Sequence, residues 1–141
     1  MAPYRHFSDK GALLRAVAEH GFDLLRRNLE EADGLATGRE ALIEQGLAYV
    51  AFAERHPALF RLMFADHCAS GAAGELGASA YDVLARRVSV VAPDDPIPAT
   101  LACWAIVHGL ATLSLDGRIP LDPDQARSAL ALLVGGFSDR H

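Results

Sequence analysis

Six histidines and two cysteines are the residues of this sequence best suited to catalysis or metal binding: His6, His20, His56, His67, His108, His141, Cys68 and Cys103. No two histidines stand four residues apart, and the cysteines share no metal-type spacing with them. Zinc sites usually show such spacing. Asp66, His67 and Cys68 are adjacent in the chain, so their side chains would not converge easily on one ion. The sequence therefore predicts no metal site and no cofactor.

His108 and His67 are the candidates for a general base in a small α-helical enzyme. For His108 the favoured interpretation is a buried imidazole that donates to a backbone carbonyl, because buried polar groups are nearly always paired. The sequence contains no glycine-rich phosphate loop, nucleophile elbow or paired-carboxylate motif. An enzyme is therefore not expected.

Composition indicates one folded domain. The 141 residues are 51% hydrophobic and 22% charged, which is typical of a globular chain long enough to bury a core. The net charge is -5 and Lys10 is the single lysine, so most of the surface is poorly suited to nucleic acid. Two distant cysteines without a secretory segment predict reduced thiols and a cytoplasmic protein.

Hydrophobic spacing predicts an all-α fold with about six helices and no strand. Ser8 is the expected N-cap of the first helix, and Thr37 with Glu40 reads as a capping box for the second. The predicted helices cover residues 9–32, 38–55, 58–66, 75–91, 99–115 and 123–137.

The stretch Ile97–Leu115 is the one around which the chain is expected to be organised. It carries no charged residue, and its apolar residues point all round a helix, as in helices that are buried on every side or lie in lipid. Polar residues such as Thr100 and His108 dilute the run, so a membrane span is disfavoured and no membrane partner is expected. We expect a second copy of the chain to cover part of this helix.

A set of aromatic and methionine side chains, drawn from five predicted helices, could form either an ordinary core or a ligand pocket between helices. In the second interpretation His67, His108 and Cys103 supply the polar groups of the pocket. The members of the set are Phe22, Tyr49, Phe52, Phe60, Met63, Phe64, Tyr81 and Trp104.

Residues 2–14, APYRHFSDKGALL, closely resemble the end of the DNA-binding domain in tetracycline-repressor-like (TetR family) transcriptional regulators. The matching positions are Tyr4, His6, Phe7, Lys10 and the two leucines that end the stretch. In addition, Trp104, His108 and Gly109 resemble the Trp-His-Gly signature of one subclass of TetR ligand domains. The resemblance implies that Tyr4, His6 and Lys10 contact DNA phosphates, which position a protein without reading sequence.

The same resemblance implies the organisation of the chain. Residues 1–8 would be the remnant of a helix-turn-helix and residues 9–141 a helical ligand-binding and dimerisation domain. Most of the DNA-binding head would lie outside this sequence, so the chain by itself should not bind an operator, and DNA would be a partner of an intact form alone. Repression is the norm in this family. The resemblance implies that repression would be relieved when a small apolar ligand tilts the first helix of this chain, residues 9–32.

Family members dimerise through their last two helices, which implies a homodimer interface here. The residues expected in it are Ala105, Thr112, Leu130, Leu133 and Phe137. The alternative to a regulator is a non-enzymatic dimeric helical binding or scaffold protein with a dry core.

Overall fold

A computed structural model describes residues 9–65 and 72–137, with the backbone alone for residues 72–78. It confirms the all-α prediction, and no strand occurs in the described ranges. The proposed remnant at residues 1–8 lies outside them. The helices are α1 Lys10–Asp33, α2 Gly38–Arg55, α3 Pro57–Met63, α4 Ala72–Val91, α5 Pro96–Leu115 and α6 Pro123–Gly135.

The N-terminal caps differ from the expected ones at three helices. Asp9 is the N-cap of α1, and its Oδ1 accepts a hydrogen bond from the backbone N–H of Ala12 at 2.7 Å. The predicted capping box of α2 is wrong, because the Thr37 side chain makes no cap hydrogen bond and Gly38 enters the helix with a left-handed φ of 56°. A capping box occurs instead at α6, where Asp122 and Gln125 satisfy each other's backbone N–H groups.

Helix α5 begins at Pro96, three residues earlier than predicted. A proline suits the first turn of a helix, because the N–H that it lacks would have no partner there. The prolines of residues 92–98 therefore open this helix as well as ending the one before it.

Helix α2, and not α5, is the centre of the fold. It packs against each of the other five helices. Its buried residues extend around more than half of the helix, with Ile43 and Val50 on one flank and Ala41 and Phe52 on the other. Helix α5 buries one side alone, which carries Ala99, Cys103, Val107 and Ala111. It packs mainly against α2 and α4, and its contact with α6 is slight.

A glycine sets the distance between α2 and its neighbours α5 and α6. A Cβ at Gly46 would lie 2.7 Å from a methyl carbon of Leu130 and 3.2 Å from one of Val107. Real side-chain atoms do not approach so closely, so any larger residue would push Leu130 aside. The close approach brings side chains of three helices together at one place in the core.

Helix α6 is also attached to α2 by charged side chains at the surface. The guanidinium of Arg127 bonds the carboxylates of Glu40 and Glu44 on α2. Arg39 of α2 donates to the backbone carbonyl of Phe137 at 2.7 Å. Exposed ion pairs contribute little stability each, so the packing around Gly46 holds α6 in place.

Candidate functional site

A small apolar cavity lies where α2 faces α5 and α6. Its volume is about 20 Å³, enough for one water molecule and far less than the several hundred Å³ of typical ligand pockets. Carbon atoms form nearly all of its wall. The lining residues are Leu29, Leu42, Gln45, Gly46, Tyr49, Leu84, Cys103, Trp104, Val107, Leu130, Leu133 and Val134.

Gln45 is the exception in this apolar wall. Its side chain is 2% exposed, and its Nε2 donates a hydrogen bond to Oδ1 of Asp33 at 2.8 Å. Its Oε1 is buried and has no hydrogen-bond partner in the described part of the chain. Buried polar atoms are rarely left in this state, so the orphaned oxygen marks the cavity as a candidate binding site.

Asp33 holds Gln45 in position and is itself held by α4. Arg87 donates to both carboxylate oxygens of Asp33, each at 2.8 Å. These bonds lower the pKa of Asp33 below its usual value, with the hydrogen bond from Arg87 as the largest cause and burial opposing it. The row Arg87–Asp33–Gln45 therefore joins α4, the end of α1 and α2 beside the cavity.

Most of the aromatic residues predicted to line a pocket pack against one another. Phe60 lies 5.7 Å from Tyr49 and 5.0 Å from Phe64 between ring centroids, and Tyr49 lies 5.4 Å from Trp104. Phe22 extends the cluster through Phe64. Tyr81 joins the other end through Trp104, at 5.7 Å.

The remaining members of the predicted set lie at the edges of this packed region. Phe52 stacks near the His56 ring, and Met63 closes over Gly21. His67 lies outside the described residues. Of the whole set, Tyr49 and Trp104 line the cavity, so the structure separates a filled aromatic cluster from a small open space beside it.

Tyr49 and His108 connect α2 to α5 through a hydrogen bond. The Tyr49 hydroxyl lies 2.8 Å from Nδ1 of His108. Burial raises the pKa of Tyr49 and lowers the pKa of His108, so both groups are uncharged at neutral pH. With the ring proton on Nε2, the neutral imidazole accepts a hydrogen bond from the Tyr49 hydroxyl at Nδ1, which is a structural contact between the two helices.

The other candidate residues show little that favours catalysis or metal binding. Burial raises the pKa of Cys103 to about 11, which keeps its sulfur as an unreactive thiol at neutral pH. Among residues 9–65 and 72–137, no three His, Cys, Asp or Glu side chains are grouped so that they could hold a metal ion. Of the residues implied in phosphate contacts, Lys10 is exposed at the start of α1, while Tyr4 and His6 lie outside the described ranges.

Helix α5 presents an apolar stripe to the outside. Ile97 is 79% exposed, Leu101 63% and Leu113 43%, and Ala105 is also exposed. By length and composition α5 could cross a membrane, and 28% of its most apolar 18-residue segment is buried inside the chain. On α6, Leu132 is 81% exposed. Apart from Ala105, these residues were not predicted, because an all-round apolar helix does not reveal which side the chain leaves uncovered.

The residues predicted for a dimer interface divide between surface and interior. Ala105 is exposed, whereas Thr112, Leu133 and Phe137 are half-buried. Leu130 is 3% exposed and packs over Gly46, so it is a core residue of the single chain and offers no surface to a second one. Its place in the apolar repeat of α6 could not distinguish packing within the chain from packing between chains.

Comparison with known proteins shows to which family this helical domain belongs. A family model described as "Tetracyclin repressor-like, C-terminal domain" matches residues 42–135, from the first turns of α2 to the end of α6. No curated protein matches the chain. A solved protein of unknown function from Rhodococcus sp. RHA1 is 30% identical and has a TM-score of 0.84, with 98% of this chain and 80% of that chain covered. The chain therefore belongs to the tetracycline-repressor-like (TetR) family of transcriptional regulators, of which it contains the C-terminal domain.

Proposed function

We propose that this chain is the ligand-sensing and dimerisation domain of a TetR-family repressor. The apolar cavity between α2, α5 and α6 carries the proposal, since these helices lie largely within the family-matched range and the cavity is lined by Gln45, whose Oε1 is buried and has no partner among the described residues. A small apolar molecule would bind there. The exposed faces of α5 and α6 would pair with the same faces of a second copy.

Binding at this cavity would displace a helix, because the existing space is too small for an organic ligand. Leu130 and Leu133 of α6 form one side of it. Leu29 of α1 forms another, so a molecule that enlarges the cavity presses on α1 and α6 together. In an intact regulator, movement of α1 would change the spacing of the two DNA-binding heads. Such a switch requires that the ligand bind one of the two arrangements more tightly.

A second copy of the chain is the proposed cover for the outer face of α5. Ile97, Leu101, Ala105, Gly109 and Leu113 stand four residues apart and lie on one side of the helix. A Cβ at Gly109 would have no atom within 4 Å, so this side is open along most of its length. A twofold dimer would bury the stripe against itself, and each Å² of apolar surface removed from water contributes about 25 cal/mol.

The end of α6 continues this surface beside the start of α5. Pro98 and Ala102 of α5 line a shallow groove of about 450 Å³ together with Gly136 and Phe137. Small side chains at such a groove allow helices of a partner to approach closely. The proposed interface therefore combines the stripe on α5 with Leu132 and the glycines that end α6.

The dimer is tested by placing a charge on the α5 stripe. Leu101→Glu and Ala105→Glu would bury a carboxylate in the interface and weaken dimerisation by about a hundredfold, equivalent to about 2.7 kcal/mol. Val90→Glu is the matched control, because Val90 is 68% exposed but lies on α4. Analytical ultracentrifugation should show monomers for the two α5 variants and a dimer for the control. Dimers in all three variants would contradict the proposed interface.

A dimeric scaffold protein with a dry core is the second candidate, and the small volume of the cavity favours it. Thermal-shift screening with small hydrophobic compounds separates the two, because a ligand that binds the folded state alone raises its melting temperature. The sensor predicts stabilisation by some compounds and loss of that effect in Cys103→Leu, whose larger side chain would take up the space of the cavity that Cys103 lines. The absence of any stabilising compound would favour the scaffold.

A further inference from the structure

The orphaned oxygen of Gln45 constrains what the cavity can bind. We propose that the ligand is an uncharged, mostly apolar molecule carrying one hydrogen-bond donor, a hydroxyl or an N–H, which it directs at Oε1 of Gln45. This inference rests on the proposed ligand-sensing function and assigns the chemical class of the ligand.

The orientation of the Gln45 amide follows from its neighbours. Oxygen and nitrogen of a glutamine amide are distinguished by their partners. The Asp33 carboxylate can accept hydrogen bonds but cannot donate one, so the nitrogen must face it, as observed at 2.8 Å. Arg87 occupies both oxygens of Asp33 and keeps the carboxylate charged. The oxygen of Gln45 is therefore the group left over, and it can only accept.

No donor of the cavity wall is hydrogen-bonded to this oxygen. The Tyr49 hydroxyl is hydrogen-bonded to His108. The Cys103 thiol is a weak donor, the indole N–H of Trp104 makes no bond to Oε1, and the other lining side chains are apolar. A single water would fit the volume, but buried waters normally make two to four hydrogen bonds and nearly all of this wall is carbon. A ligand donor with an apolar body matches the site better.

The same geometry excludes charged ligands. A carboxylate would bring a second acceptor against Oε1, and no cation lines the cavity to neutralise it. An ammonium group would lose its hydration in an apolar space and gain one hydrogen bond. Gln45 is thus inferred to determine specificity by selecting a neutral donor.

The test compares cyclohexanol with cyclohexyl methyl ether, which keeps the oxygen but lacks the donor. Both are transparent where tryptophan fluoresces, and Trp104, the single tryptophan of the chain, lines the cavity and reports binding. Dissociation constants are measured for the full chain, for Gln45→Met and for the control Leu133→Met, which alters the wall without touching the acceptor. For each protein we take the ratio of the dissociation constants of the two probes. The probes differ in hydration by the same amount for every protein, so this difference cancels when the ratios are compared.

We expect the wild type and Leu133→Met to prefer the alcohol by about tenfold more than Gln45→Met does. A measurement that needs no variant is the side-chain carbonyl ¹³C resonance of Gln45, which should shift with cyclohexanol and not with the ether. Equal ratios in all three proteins, with both probes bound, would overturn the inference and leave ligand sensing standing. If neither probe changes the Trp104 signal up to its solubility limit, the inference falls together with ligand sensing at this cavity.

Discussion

Helix α2 is more deeply buried than α5, although α2 carries charged residues and α5 carries none. Helix α2 carries five charged residues, yet five neighbouring helices surround it and its Tyr49 and Phe52 are almost fully buried. Helix α5 carries no charged residue, yet Ile97 and Leu101 are exposed. The apolar content of a helix therefore indicates how much of its surface must be buried in total. It does not say which chain supplies that cover.

Truncating one apolar residue on each helix should give the largest change in the free energy of unfolding, and the two changes should depend differently on protein concentration. Phe52→Ala on α2 should lower the free energy of unfolding by about 3–5 kcal/mol at every protein concentration, because it leaves a cavity inside one chain. Leu101→Ala on α5 should act through dimerisation, so its effect should grow as the protein is concentrated. Urea unfolding at two concentrations tests both. A concentration-independent loss for Leu101→Ala would mean that α5 is covered within its own chain.

A second comparison concerns the polar row Arg87–Asp33–Gln45, which joins α2 to α1 and α4. Asp33→Asn breaks the paired bonds with Arg87, and hydrogen bonds to charged groups are each worth about 1.5–3 kcal/mol. The pKa of Asp33 is lowered in the folded state, so its contribution is present above the unfolded value of about 3.9 and is lost as the pH falls below it. The stability gap between wild type and variant should therefore be constant near neutrality and shrink on acidification below about pH 4. A gap unchanged down to pH 2 would contradict the role of the ionised carboxylate.

The smallest expected effect is at the hydrogen bond that joins the two helices. Tyr49→Phe removes the hydroxyl from His108 and should cost about 1 kcal/mol in unfolding experiments. Burial lowers the pKa of His108, so the unfolded chain takes up a proton near pH 6.5 while the folded chain does not. Stability should thus decline as the pH falls through this range, and the decline should be smaller in His108→Gln. An identical decline in both proteins would show that another group is responsible.

The sequence was sufficient for the helices and the family, because both depend on local patterns. Apolar spacing located all six helices, and the stretch around Tyr4 with the Trp104 signature pointed to the family whose model matches residues 42–135. The error at Thr37 is also local, since the left-handed φ of Gly38 is not apparent from the capping motif.

The cavity could not be predicted, because its features depend on contacts between distant residues. Gln45 is buried beside Asp33 and Arg87, which come from two other helices. Six of the eight aromatic and methionine side chains pack against one another, and their spacing in the sequence could not show that they fill the space between them. In the same way, Leu130 and Leu132 both fit an apolar α6, and packing alone separates the buried one from the exposed one.

The most direct test of the account is the mass of the unmodified chain in solution. Sedimentation equilibrium at micromolar concentration should give twice the 15.0 kDa of one chain, because we propose that a second copy covers the exposed side of α5. A mass of 15.0 kDa that persists as the protein is concentrated would contradict the proposal that this chain covers its own exposed helix by dimerisation.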